Sequence, residues 1–214
     1  MEKKMSRQER ERLQLIQTVT GHAEELFRQN GYENTTLDAL AMHSEYTKRT
    51  IYRYFVSKED LYFAVMFKGH NQLLEVVQAG IKNGRTGNEK IAMAYKASFN
   101  FFNDNGWLFD LVAQLQAIKQ KRDPGELPYY EKYTGCLDLL HKEIIALFVM
   151  AHDDKSIRTD IDPQRLGYSS ALIMNGLFHM LRLYGDRFPQ RLDMDAERFA
   201  GFTAQFLFQA LGGQ

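Results

Sequence analysis

Residues 35–58 read TTLDALAMHSEYTKRTIYRYFVSK, and the rest of the chain can be placed from them. Leu37 to His43 fits a short helix, Ser44 to Tyr46 a tight turn, and Lys48 to Phe55 a second short helix. Two short helices joined by a turn of about three or four residues make a helix-turn-helix, whose second helix enters the DNA major groove. Ile51 and Phe55, four apart, give that helix one apolar stripe, while Lys48, Arg49, Thr50, Tyr52, Arg53 and Tyr54 fill its other faces. No carboxylate stands between Lys48 and Ser57. Cations, hydroxyls and rings without carboxylates suit a polyanion.

The charge of the whole chain sharpens this. Its 214 residues carry 27 basic and 27 acidic side chains, so they cancel. From Glu45 to Lys58, however, Lys48, Arg49, Arg53 and Lys58 face Glu45 alone, a local +3. A small, placed charge fits a specific DNA binder better than a coating protein. Apolar residues at 44% and charged residues at 25% are ordinary for a globular protein with a sizeable core. The single cysteine, Cys136, excludes an internal disulfide framework and reads as a small buried apolar residue. The charged N-terminal run MEKKMSRQERERLQ lacks the apolar core of a signal peptide, and the longest apolar run, Ile144 to Ala151, is too short for a span. Cytoplasmic localisation is the expectation.

Upstream, residues 1–8 read as a mobile basic tail, and Glu9 to Asn30 follows a helical period through Leu13, Ile16, Thr20, Ala23 and Phe27. Asn30-Gly31 closes that helix, and Thr35 or Thr36 caps the next. Downstream, Ser57 caps a helix running from Lys58 to about Asn83, ~39 Å long at 1.5 Å per residue. It reads as a strut bracing the small N-terminal core. Five further helices follow: Asn88–Asn103, Trp107–Lys121, Tyr129–Met150, one capped by Asp162 that ends near Tyr184, and one capped by Asp193 that ends near Leu211. Arg122 to Pro128 is a breaker, and no strand alternation occurs. The expected fold is all-α, with residues 1–57 as a helix-turn-helix domain and 58–214 as a connecting helix plus helical body.

The last two helices are apolar on more than one side, so a second surface must be covered. Ile173, Leu177, Leu181 and Tyr184 from one, with Phe199, Phe202 and Phe206 from the other, are the expected faces of a two-fold, four-helix interface; a buried helix pair is the alternative. Small residues including Gly167, Ala171 and Gly176 allow a helix to approach closely.

The stretch LFRQNGYENTTLDALA…YTKRTIYRYFVSKEDL resembles the DNA-binding domain of the tetracycline-repressor (TetR) family of transcriptional regulators. The resemblance implies a dimer with three N-terminal helices for DNA, a connecting helix, and a C-terminal body enclosing a small-molecule cavity. Carried over by position, Lys48, Arg49, Tyr52 and Arg53 match base-contacting places, and Thr36, Thr50, Tyr54 and Lys58 match phosphate-contacting places. The chemistry agrees, since Arg reads guanine edges and hydroxyls and lysine suit phosphates. Tyr52 and Tyr54 also suit packing, Lys58 a solvated cap, and Thr36 a plain N-cap. Two positions depart from the family pattern. Glu45 stands where glycine is frequent, which implies either positive φ or a different turn. Arg49 replaces a small residue, which alters the sequence read.

If the resemblance holds, an apolar or aromatic effector enters the body. Tyr95, Phe99, Phe102, Trp107, Leu111, Tyr133 and Leu137 are candidate walls, and Gln114, His141, Asn175 and His179 candidate polar anchors. The same aromatics equally suit plain core. The implied function is a ligand-responsive repressor acting as a dimer on a palindromic double-stranded DNA operator, with ligand tilting the Lys58–Asn83 helix. An activator of the same family, a helical enzyme and an architectural DNA binder are the alternatives. The chain holds no HExxH, glycine-rich phosphate loop or G-x-S-x-G elbow, so no catalytic residues, cofactor or metal site are expected. His152-Asp153-Asp154 reads as an acidic loop.

Overall fold

The computed structural model describes residues 5–121, 123–187 and 189–212. Residues 1–4 of the expected tail and Arg122 of the expected breaker lie outside the described residues. Among the described residues there is no strand, and no helix is long and apolar enough to cross a membrane. The helices are α1 (Arg7–Asn34), α2 (Leu37–Ser44), α3 (Lys48–Tyr52), α4 (Lys58–Gly80), α5 (Gly87–Asp104), α6 (Gly106–Val112), α7 (Gln114–Lys121), α8 (Pro128–Asp153), α9 (Pro163–Tyr184) and α10 (Ala196–Leu211). They form two compact units, one of residues up to His70 with Asp110–Gly135, the other of Asn71–Phe109 with Cys136 onward.

Several boundaries differ from the sequence reading for local reasons. α1 begins two residues earlier than expected, because Ser6 and Glu9 form a reciprocal capping box that extends order into the supposed tail. Gly31 does break the helix, at φ 76° and ψ 164°, a region essentially closed to side-chain-bearing residues. The buried Thr35 hydroxyl then donates toward Gly31 O at 2.9 Å and Leu26 O at 3.2 Å, closing the break. Thr36, not Thr35, caps α2. The expected helix Trp107–Lys121 is interrupted at Ala113. Asp195, not Asp193, caps α10; Asp193 sits at positive φ just before it.

In the first unit the core is built from Val19, Ala23, Leu26 and Phe27 of α1, Leu40 of α2, Ile51 and Phe55, and an almost continuous buried run from Leu61 to Met66 of α4. The predicted strut therefore holds, but it does not act alone. Leu111, Ile118, Leu127, Tyr129 and Tyr133, far along the chain, are buried in the same unit. The Tyr62 hydroxyl donates to Leu111 O at 2.8 Å, and the Phe55 and Tyr129 rings stack with centroids 5.4 Å apart.

The second unit is an all-helical body in which α5, α9 and α10 pack on one another. Gly167 of α9 meets Ile145 and Phe148 of α8 so closely that a Cβ would crowd both. Gly167 therefore serves a contact within the chain, whereas a Cβ on Gly176 would meet nothing within 4 Å. Asp154 accepts the Gly87 N–H at 2.7 Å and Ser156 Oγ the Asn88 N–H at 2.9 Å, so the loop after α8 caps α5. Capping is the role of the acidic loop. Hydrogen bonds that Asp154 itself accepts, first from Ser156 and then from the Gly87 N–H, hold its carboxyl below the ordinary range.

Candidate nucleic-acid interface

The reading end starts from its turn. Glu45 caps α2 in the left-handed conformation, φ 59° and ψ 15°, so the turn keeps the geometry a glycine would favour and carries a carboxylate there. Thr47 then caps α3, its hydroxyl accepting the Thr50 N–H at 3.1 Å. α3 is shorter than the expected Lys48–Phe55 helix. Bonds from Arg53 N to Arg49 O and from Phe55 N to Ile51 O prolong the turn past its formal end, keeping Ile51 and Phe55 on one buried face.

That buried face turns the others outward. Lys48, Arg49, Tyr52 and Arg53 are all exposed. Lys48 Nζ lies 2.5 Å from Asp38 Oδ1 of α2, a pair open to solvent and therefore weak. The Arg53 guanidinium lies 5.8 Å from the Tyr54 ring centroid, and both residues border an open groove with Gln8, Glu11, Arg12 and Leu15 of α1. Among the places matched to phosphate contacts, Thr36 caps α2, and Thr50 Oγ1 lies 2.9 Å from Thr47 Oγ1. Lys58 is turned toward its own domain, with Nζ 4.2 Å from the Tyr32 ring centroid and 3.2 Å from Glu33 O. Burial and the neighbouring Glu59 carboxylate push the Tyr32 hydroxyl's pKa up, so that ring stays neutral beneath the cation.

Residues 21–65 match the family described as bacterial regulatory proteins, tetR family, a span running from mid-α1 into α4. The fatty acid metabolism regulator protein of Bacillus subtilis (strain 168) is 30% identical over 78 residues, which cover 36% of this chain and 40% of that protein. Residues 21–65 therefore carry a DNA-binding segment of the tetR type. Solved structures of low identity share its fold. A putative transcriptional regulator from Saccharomonospora viridis in complex with choline matches with a TM-score of 0.72 at 14% identity, over 93% of this chain and 98% of that one. The transcriptional regulator FadR from Bacillus subtilis in complex with stearoyl-CoA matches with a TM-score of 0.68 at 16% identity, over 90% and 97%.

The body of the chain holds the expected effector residues in several places. Phe99, Phe102 and Phe178 pack on one another, with Phe102 and Phe178 stacked at 5.1 Å. Tyr95, His141 and Asn175 border a cavity of only about 60 Å³, which Phe178 also lines. A second, half-open cleft of about 240 Å³ lies against Tyr95, Phe99 and α10. Both are smaller than the ~300–1,000 Å³ of typical ligand sites. Burial raises the pKa of the Tyr95 hydroxyl, with Ser170 opposing. Trp107 and Leu137 are half-buried and His179 is exposed. Leu111, Gln114 and Tyr133 belong to the first unit, where Tyr133 packs against Phe63 and His70. On α9 and α10, Leu181 is buried within the chain, as are Met174 and Phe178. Ile173, Tyr184, Phe202 and Phe206 are exposed, together with Leu172 and Leu183, which the sequence reading passed over. Leu177 and Phe199 are half-buried.

Proposed function

We propose that the protein is a DNA-binding transcriptional regulator, a ligand-responsive repressor acting as a homodimer on a palindromic operator. The observation that carries this reading is the α3 surface, where Arg49, Tyr52 and Arg53 stand exposed above a buried Ile51–Phe55 stripe. The division of labour is DNA reading by residues 1–57 and sensing and dimerisation by 58–214. Arg49 and Arg53 read base edges with Lys48 and Tyr52, while Thr36, Thr50, Tyr54 and Lys58 approach phosphates once Lys58 swings away from Glu33. Two-fold pairing covers the apolar face of α9 and α10, where Leu172 is 73% and Phe206 62% exposed.

The effector is apolar, and long acyl chains are the first class to test, because one relative is a fatty acid metabolism regulator protein and a regulator of similar fold is in complex with stearoyl-CoA. Its entry parts the Phe99–Phe102–Phe178 stack and shifts α4, one continuous helix from Lys58 to Gly80. A coupling of ~1–3 kcal/mol changes operator affinity about 5- to 150-fold. Mobility-shift titration against DNA flanking the protein's own gene tests both halves. Arg49→Ala and Arg53→Ala should each lose about 1–3 kcal/mol of specific binding. Unchanged binding in both variants overturns the interface, and equal operator affinity with and without a bound long-chain acyl-CoA overturns that effector.

A further inference from the structure

α1 and α2 meet at a cluster that DNA reading does not use. His22 and Glu25, three residues apart on α1, share one helix face, and His43 reaches across from the last turn of α2. Glu25 Oε2 lies 3.0 Å from His43 Nε2, and the His22 and His43 rings meet edge to face with centroids 5.0 Å apart. One ligating atom from each residue lies within 4.8 Å of the others. The second Glu25 oxygen accepts a hydrogen bond from Gln29 Nε2 at 3.2 Å, which orients the carboxylate from one turn away.

We infer that His22, Glu25 and His43 form a divalent transition-metal site, suited to Zn2+, which clamps the first helix of the helix-turn-helix to α1. Two imidazoles and one carboxylate are a nitrogen-rich donor set that zinc accepts and that calcium or magnesium, which prefer oxygen cages, does not. Zinc bonds of about 2.0–2.2 Å place tetrahedral donors roughly 3.3 Å apart. The Glu25–His43 pair already meets that spacing, and rotation of the exposed His43 ring brings in His22, which is half-buried and less free to move. Glu25 and His43 are solvent-exposed, so the fourth position belongs to water and the ion exchanges with the medium. The wide sequence separation of His22 from His43 hides the site from motif reading, since the two imidazoles meet only when α2 folds against α1. His43 is the penultimate residue of α2 and Glu45 follows it closely, so ligation fixes the end of the helix from which the turn to α3 departs.

The test uses the full chain, stripped of metal with a chelator and titrated with zinc chloride by calorimetry and by thermal unfolding. One Zn2+ per chain is expected, with Tm raised by roughly 5–10 °C at about one hundred times the dissociation constant. His43→Gln and Glu25→Gln, both at exposed positions, should each weaken binding at least about tenfold and abolish the Tm rise while leaving the metal-free Tm nearly unchanged. His152→Gln, in the loop after α8, should bind as the parent does. Co2+ should show a visible absorption band in the parent that His43→Gln loses. Zinc binding of equal strength in the His22→Gln/His43→Gln double variant, or a parent that takes up less than one ion per chain, overturns the site. Neither result touches the DNA-reading proposal, because metal uptake is read without DNA.

Discussion

Asp60 Oδ1 accepts the backbone N–H of Tyr129 at 2.9 Å, so the first turns of α4 and α8 share one fully buried carboxylate. Its other oxygen accepts the Val56 N–H at 3.2 Å, and its own N–H reaches Ser57 Oγ at 3.2 Å. A carboxylate beside two helix N-termini lies where the peptide dipoles favour negative charge. Asp60→Ala leaves the buried Tyr129 N–H without its acceptor and should cost about 1–3 kcal/mol, while the Val56 N–H, on an exposed residue, can turn to water. Asp60→Asn keeps one acceptor oxygen and should lose roughly half as much. Urea unfolding decides it, and an Ala variant within ~0.5 kcal/mol of the parent would contradict the assignment.

At the turn, Glu45 holds a conformation that is about 1–2 kcal/mol less favourable for a residue with a side chain. Glu45→Gly removes that strain but frees the unfolded chain, an offset of about 0.4–1 kcal/mol. A net gain of roughly 0.5 kcal/mol is expected in thermal unfolding. Operator affinity should also rise, because an anion beside the phosphates is gone. Glu45→Val, branched at Cβ, should lose stability, and a Val variant as stable as the Gly variant would refute the strain.

A Cβ on Gly87 would overlap the Cα and N of Ala151, with backbone on both sides and no flexible side chain to give way. Gly87→Ala should therefore destabilise by about 1–3 kcal/mol. Gly135, inside α8 with nothing within 4 Å of such a Cβ, is the opposite case. There Gly→Ala should stabilise by about 0.5–1 kcal/mol. Paired melting curves that moved in the same direction would rule out this explanation.

Dimerisation through α9 and α10 predicts different fates for neighbouring leucines. Leu172→Arg, on the exposed face, should give a folded monomer by sedimentation. Leu181→Arg, at 6% exposure, should damage the fold itself. A Leu172→Arg protein that still sediments as the parent dimer would exclude that face.

Burial lowers the His70 pKa from its ordinary 6.5, against a weaker opposing hydrogen bond to Met66 O. The unfolded chain therefore takes up a proton at a higher pH than the folded one. The stability linked to His70 is present in full above pH about 6.5 and declines as pH falls toward the lowered folded value. Chemical denaturation between pH 8 and pH 5 should show that decline in the parent and a flatter curve in His70→Gln. Parallel curves would place the acid sensitivity elsewhere.

Helix periods, caps and the helix-turn-helix spacing were legible because each is local. Ala23, Phe27, Ile51 and Phe55 occupy the small core as their spacing implied, although Leu13 of the same stripe is exposed, and Asp162 caps α9 as expected. Long-range partnerships were not legible. Asp60 looks like an ordinary first-turn acid, and nothing in its neighbourhood points to Tyr129, sixty-nine positions on. By sequence Lys48 matches a base contact and Lys58 a phosphate contact or a solvated cap, yet Asp38 and the Tyr32–Glu33 corner hold them in this structure. The aromatic run in the body announced bulk without saying whether rings would line a space or fill it. Phe99, Phe102 and Phe178 fill it.

The discontinuity of the first unit bears on how the reading head can be handled and made. Tyr129 stacks on Phe55, Leu111 O accepts from Tyr62 of the buried α4 run, and Ile118 and Leu127 are buried in the same unit, yet all four come long after the helix-turn-helix in the chain. An excised fragment ending at His70 would leave those apolar surfaces open to water and should aggregate or remain partly unfolded. On the ribosome the same head cannot finish folding until residue 135 has emerged, well into synthesis of the other unit. The proposed DNA-reading surface is therefore completed late in translation.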